Sequence, residues 1–253
     1  MIGSIYMNNT EKSSDPLGIR PYGEALKAKA EQAKICVETV VKYIDHICEP
    51  ATKELGLMFG DQFSYWRRSR AIALNDKLKL KLANRHVSLE DLHAPPSIVM
   101  KVFEEGSTVD DDEIQDMWAG LLASSCTEDG KDDSNLIFIS ILSQMTAPEA
   151  RIINYTCQAC ISSFGGLSRK SINVPDENLQ KIARLYDTSL LLRELSHLGS
   201  LGLIILTYEQ GPKDKIEIFH IDPQDAAYHL YARCQGHVGP LREFAEAQKR
   251  KPL

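Results

Sequence analysis

Aromatic residues are scarce in this chain: Phe, Trp and Tyr make up 7% of it, and only two residues are tryptophan, Trp66 and Trp118. Long apolar runs are missing as well. Nothing approaches the roughly 18 consecutive apolar residues of a membrane span, so none is expected. The opening MIGSIYMNNTEKSSD has neither a charged n-region nor a long apolar core, so no secretory signal is expected either. No GxSxG, GxxxxGKS, GxGxxG or HExxH occurs, which removes the nucleophile elbow, the phosphate loop, the dinucleotide fingerprint and the zinc-protease helix. No repeat of about 20–50 residues is present. A surplus of positive charge is also absent: 29 Lys and Arg stand against 35 Asp and Glu, a net charge of −6. Such a balance argues against a protein that coats nucleic acid or an anionic membrane with its whole surface.

What is present is an ordinary globular composition, 43% hydrophobic and 25% charged, long enough to bury a core without staples. Six cysteines, Cys36, Cys48, Cys126, Cys157, Cys160 and Cys234, are scattered, most of them within helix-like apolar patterns. Free thiols in a reducing cytoplasm are the expectation.

One stretch poses the central question. Residues 110–125 read DDDEIQDMWAGLLASS, an acidic cluster running into Ile114, Met117, Trp118, Leu121 and Leu122. Those apolar residues fall at i, i+3, i+4, i+7 and i+8, one face of a helix. Asp110 followed by Glu113 fits a capping arrangement, and carboxylates in a first turn complement the helix dipole. Asp116 falls on the polar side. A metal site would need further carboxylates converging from elsewhere, and no partner motif for that is visible. The cluster therefore reads as the charged front of a buried helix.

Helical spacing extends along most of the chain. Residues 22–58 are helical in pattern, with a break expected near Ile47–Glu49 before Pro50. Asp61 opens a second helix whose expected buried stripe is Phe63, Trp66, Ala71, Leu74, Leu78 and Leu82. Its KLKLKL segment alternates like a strand, but the helical context around it decides for helix. Pro95 and Pro96 start a third helix, closed by Gly106. Further helices are expected at 136–145, from Thr146 as N-cap, and from Asp187 as N-cap. Residues 164–179 read as a loop. Leu203–Tyr208 and Ile216–Ile221 read as a β-hairpin, and Asp222-Pro223 caps a last helix ending at Cys234. The expectation is a mainly α protein: a tail at 1–18, a helical bundle at 19–145, a winged-helix-like module with one small hairpin at 146–236, and a polar tail at 237–253.

Three stretches carry a resemblance. They are GLMFGDQFSYWRRSRAIAL, VDDDEIQDMWAGLLASS, and ILSQMTAPEARIINY with LLRELSHLGSLGLI. Together they resemble the Abi-alpha (abortive infection alpha) family of prokaryotes over roughly residues 20–235, with the acidic run into the Trp helix the most specific part. The resemblance implies a helical protein associated with defence against phage and no established active site. It marks Trp66, Arg67, Arg70, Asp112, Gln115, Asp116, Trp118, Leu121 and Leu122 as signature or interaction positions and supplies no catalytic residue.

The remaining candidates weigh toward structure. Cys157-Gln-Ala-Cys160 has no second pair to complete a zinc site and lies inside an expected helix, so buried thiols are favoured. No histidine, His197 beside a leucine face included, belongs to a recognisable ligand pair. The basic residues Arg67, Arg68, Arg70, Lys77, Lys79, Lys81 and Arg85 could contact an anion. The favoured reading is a solvated face that complements the acidic segment, for instance through an Arg67–Asp116 pair, since the chain is acidic overall. The two tryptophan helices are expected to pack together with at least one Arg–carboxylate pair between them. The helix 187–202 has Arg193 as its only Arg or Lys, which is poor for reading a DNA groove. The expected function is non-enzymatic, in phage defence, through contact with a protein such as a neighbouring-gene product or a phage protein. A nucleic-acid-binding winged-helix regulator is the alternative, with weak binding. No cofactor and no metal is expected.

Overall fold

A single helix, fronted by the acidic run, organises the protein. The computed structural model describes residues 38, 40–48, 65–85, 88, 91–164 and 170–249. In chain order the named elements are α1 (Tyr65–Ala83), α2 (Pro96–Gly106), α3 (Asp112–Ser125), α4 (Leu136–Leu142), α5 (Ala147–Phe164), β1 (Ile172–Pro175), α6 (Asp176–Ala183), α7 (Thr188–Ser200), β2 (Ile204–Gln210), β3 (Ile216–Pro223), α8 (Asp225–Cys234) and α9 (Leu241–Gln248). Residues 40–47 are also helical and end before Cys48, which agrees with the break expected there. The tail at 1–18, the glycine joint at Gly56 and Gly60, and the helix start at Asp61 with Phe63 lie outside the described residues.

Helix α3 is the hub: α1, α2, α4, α5 and α8 all pack against it. Eleven of its residues are buried, among them Trp118, Leu121 and Leu122. Two glycines make such crowding possible. At Gly120 an added Cβ would lie 1.6 Å from the carbonyl oxygen of Cys234, so the end of α8 touches the α3 backbone itself. At Gly106 a Cβ would come within 3.2 Å of the Trp118 side chain. Gly106 thus serves close packing; it is not among the residues with positive φ, and Ser107 closes α2 in right-handed geometry.

The sequence places α1 correctly as a helix through KLKLKL: Leu78 and Leu82 turn inward with Ala71 and Leu74, and Leu80 turns outward. Trp66 departs from its expected place. It is 44% exposed, because it shares a helical face with Ala73 and Leu80 and not with the buried stripe. The two tryptophan helices do pack together, but Trp118 alone of the two rings is buried between them.

The C-terminal part is richer than a single hairpin. Three antiparallel strands form a sheet in the order β1-β3-β2. Ile172–Pro175 pairs with Ile218–Ile221, and Ile204–Gln210 pairs with Ile216–Pro223. Residues 164–179, expected as a loop, thus contain β1 and the start of α6. Four residues are too few for period-2 alternation to stand out, and Pro175 in front of Asp176 and Glu177 reads as a turn although it opens a helix. The order α5, β1, α6, α7, β2, β3 is compatible with the expected winged-helix-like module. The expected polar tail from residue 237 contains α9, whose Phe244 and Ala245 are buried against α5 and α8. The Phe244 ring meets Tyr231 edge-on at 5.5 Å, a contact that one aromatic in a polar segment did not announce.

The burial contrast gives a direct test. Trp118→Ala is expected to cost about 3–5 kcal/mol in urea unfolding, as for other large buried side chains. Trp66→Ala is expected to stay within about 0.5 kcal/mol, the range of surface positions.

Candidate functional site

The acidic run is the obvious candidate site, and its geometry is that of a helix front clasped by cations. Asp111 is the N-cap: its Oδ1 accepts from the backbone N–H of Glu113 at 3.0 Å and of Ile114 at 3.3 Å. The cap thus lies one residue after the expected Asp110. Asp110 instead pairs with Arg70 of α1. Asp112 lies 3.4 Å from Lys77 Nζ, and Asp116 accepts from Lys81 Nζ at 2.8 Å. Gln115 is buried and donates through Nε2 to the Arg70 carbonyl at 3.1 Å. At the other end of α3, Arg85 donates to the carbonyls of Ala123 and Cys126 at 2.7 and 2.8 Å, a cation set on the negative pole of the helix. The basic residues of α1, with Arg85 just beyond its end, therefore run down the length of α3.

Arg67 does not join Asp116. Its guanidinium donates to Ser107 Oγ and to the Glu104 carbonyl at 2.9 Å, holding the end of α2. The expected Arg67–Asp116 pair is replaced by Lys81–Asp116. The reason is position along the helix: Asp110, Asp112 and Asp116 meet Arg70, Lys77 and Lys81 in turn, and Arg67 lies beyond the acidic end.

Arg151 on α5 escaped the sequence reading, and it is the most buried cation of the cluster. Its Nη2 pairs with Asp111, its Nε lies 3.4 Å from Glu113 Oε1, and its Nη1 donates to the Ala183 carbonyl at 3.3 Å. Arg184 adds a second cation 3.4 Å from Glu113. The only signal for Arg151 in the sequence is a charge directly before Ile152 and Ile153 on an apolar face.

A second polar cluster joins α5 to α7. Thr146 and Glu149 form a capping box, with the Thr146 N–H donating to Glu149 Oε2 at 2.7 Å and the Glu149 N–H to Thr146 Oγ1 at 3.4 Å. The fully buried Glu149 also meets His197 Nδ1 at 2.6 Å. Thr146 Oγ1 donates to Glu194 at 2.6 Å, and Arg193 Nε donates to the same carboxylate group at 2.9 Å.

The thiols among the described residues are shielded by burial. Cys126, Cys157, Cys160 and Cys234 are free and buried, and Cys48 is buried as well. Burial pushes Cys126 up to about 12 and holds Cys157 well above the usual thiol range, with Cys160 raised as well. The CxxC lies within α5, away from the strand-to-helix setting of a redox site. Among the described residues, no three His, Cys, Asp or Glu side chains are arranged to hold a metal ion. Among the same residues, no helix is long and apolar enough to cross a membrane.

Residues 69–235, more than half of the chain, match the family described as Abortive infection alpha. The chain belongs to that family. No curated protein and no solved structure matches it. The match spans α3 with its clasping cations and the three-stranded module through α8, so the family region takes in the whole hub. Trp66 and Arg67 lie just before it. Abortive infection is a response to phage, which sets the broad role of this chain.

Three measurements test the site. Asp111→Asn keeps the cap but loses the partly buried pair with Arg151; a loss of about 1–3 kcal/mol is expected, whereas Asp112→Asn, on a side chain 81% exposed, should stay within about 0.5 kcal/mol. Neither change is expected to alter metal content. In double-mutant cycles Lys81 and Asp116 should couple by about 0.5–1 kcal/mol, and Arg67 with Asp116 should be additive. In the native protein at neutral pH, mass spectrometry after iodoacetamide treatment should find Cys126, Cys157 and Cys160 unmodified, and modified once urea unfolds the chain.

Proposed function

We propose that this chain acts in phage defence as a non-enzymatic component, working through contact with another protein. The observation that supports this most is how its charges are used. The carboxylates of the acidic run and the cations facing them are matched to one another around α3, so that charge is already paired within the chain although Asp110 and Asp112 stay at the surface. Exposed apolar side chains are available to a partner: Tyr186 and Leu190 at the start of α7, Ile205 and Tyr208 on β2, and Trp66 and Leu80 on α1. Exposed aromatic and aliphatic residues are the usual anchors of protein contacts.

The runner-up is a winged-helix regulator that binds nucleic acid, favoured by the element order α5 to β3. Against it, the one Arg of α7, Arg193, is bonded to Glu194 on its own helix. Any binding of nucleic acid is expected to be weak and steeply salt-dependent.

A plaque assay with and without the gene tests the role. Expression is expected to lower phage plating. His197→Gln, which breaks the His–carboxylate contact, should protect as well as the parent if it melts close to the parent temperature. A folded His197→Gln protein that no longer protects would argue for chemistry at that histidine.

A further inference from the structure

The two edges of the three-stranded sheet are built differently. β1 has four residues, ends at Pro175 and runs directly into α6. A short strand closed by proline, which has no N–H, is a poor template for further pairing. β2 has seven residues, and the order β1-β3-β2 leaves its outer side without a strand among the described residues. Its segment Ile204–Tyr208 has no charge, no proline and no glycine. Ile205 is 56% and Tyr208 46% exposed. The register break between Glu209 and Gln210 comes only after this segment. A row of open backbone donors and acceptors beside exposed apolar side chains suits the addition of another strand.

We propose that this edge is a homotypic interface: a second copy of the chain adds its own β2, antiparallel, across a two-fold axis at Leu206. Self-complementarity decides the occupant. With the axis at Leu206, that residue faces its own counterpart, Ile205 faces Thr207 of the second copy, and Ile204 faces Tyr208 of the second copy. Aliphatic, β-branched and aromatic residues directly opposite one another are favourable cross-strand pairs. Moving the axis to Thr207 would set Ile205 against Glu209 and lose that match. Charge agrees with the first register. It lays Glu209–Gly211 of one copy alongside Leu201–Leu203 of the other, which brings the turn containing exposed Lys213 toward the C-terminal end of α7 in the second copy. That end carries the negative pole of the helix, and His197 is the only basic residue in its last turn. The two-fold makes this contact twice and closes the assembly as a dimer. The dimer is independent of the role in phage defence.

Sedimentation of the full chain across the micromolar range tests the proposal. A reversible dimer is expected. Ile205→Lys should weaken it by about tenfold or more, which is about 1.4 kcal/mol or more. Lys213→Glu should weaken it several-fold, most strongly at low salt. Ile137→Lys, an equally exposed position on α4, should leave it unchanged. The register is read separately: chains carrying Ile205→Cys mixed with chains carrying Thr207→Cys should form disulfide-linked dimers more readily than either alone. Since Ile205 is exposed, the Lys variant should melt near the parent temperature, which separates lost pairing from lost folding. A chain that stays monomeric throughout, a dimer untouched by Ile205→Lys, or a mixture that cross-links no better than its parts would overturn the proposal.

Discussion

The close approach of α8 to α3 is the constraint on which the rest of the structure depends. The Cys234 carbonyl sits where the side chain of any residue other than glycine at position 120 would begin. Helix α3 can therefore be surrounded on every side, by α1, α2 and α4 from the N-terminal part and by α5 and α8 from the C-terminal part. A helix enclosed in this way has little solvent face for its charges beyond its N-terminal end and Asp116 at the rim. Its carboxylates are accordingly concentrated in the first turn, where the dipole favours them, and Arg85 occupies the last.

That placement decides how charge is used. The pairs Arg70–Asp110, Lys77–Asp112 and Lys81–Asp116 lie at the rim of the α1–α3 contact, and pairs as exposed as these contribute little stability singly. They follow the register of α1 along α3 that the packed core sets. Arg151 differs because it is buried. It joins the N-cap of α3 to α5 and to the end of α6, so the acidic front of the hub and the three-stranded module share one cation. The division drawn at residue 145 from the sequence crosses this contact, and the buried core is continuous on both sides of it.

Periodicity made the helices readable because each of them buries one face: Ala71, Leu74, Leu78 and Leu82 on α1, or Leu191, Leu195 and Leu198 on α7. It failed for Trp66, since an aromatic residue at near-helical spacing was assigned to the nearest apolar stripe although its angle belongs to the opposite face. It failed also for β1 and α9, which are too short or too polar to carry a pattern and are fixed by pairing with β3 and by the Phe244–Tyr231 contact. The acidic run was readable as a helix front because capping and dipole effects act locally. Which cation meets which carboxylate was not, because the relative position of α1 and α3 is set by the packed core and by no feature of either segment alone.

Unfolding of Gly120→Ala tests the central claim, that one backbone contact unites both parts around α3. Followed by circular dichroism and by tryptophan fluorescence, the parent should unfold in a single coincident transition. The substitution should lower stability by at least about 3 kcal/mol and shift both signals together, because neither backbone can move away from the added methyl without opening the core. A Gly120→Ala protein as stable as the parent, or one in which the two signals separate while the parent's coincide, would contradict it.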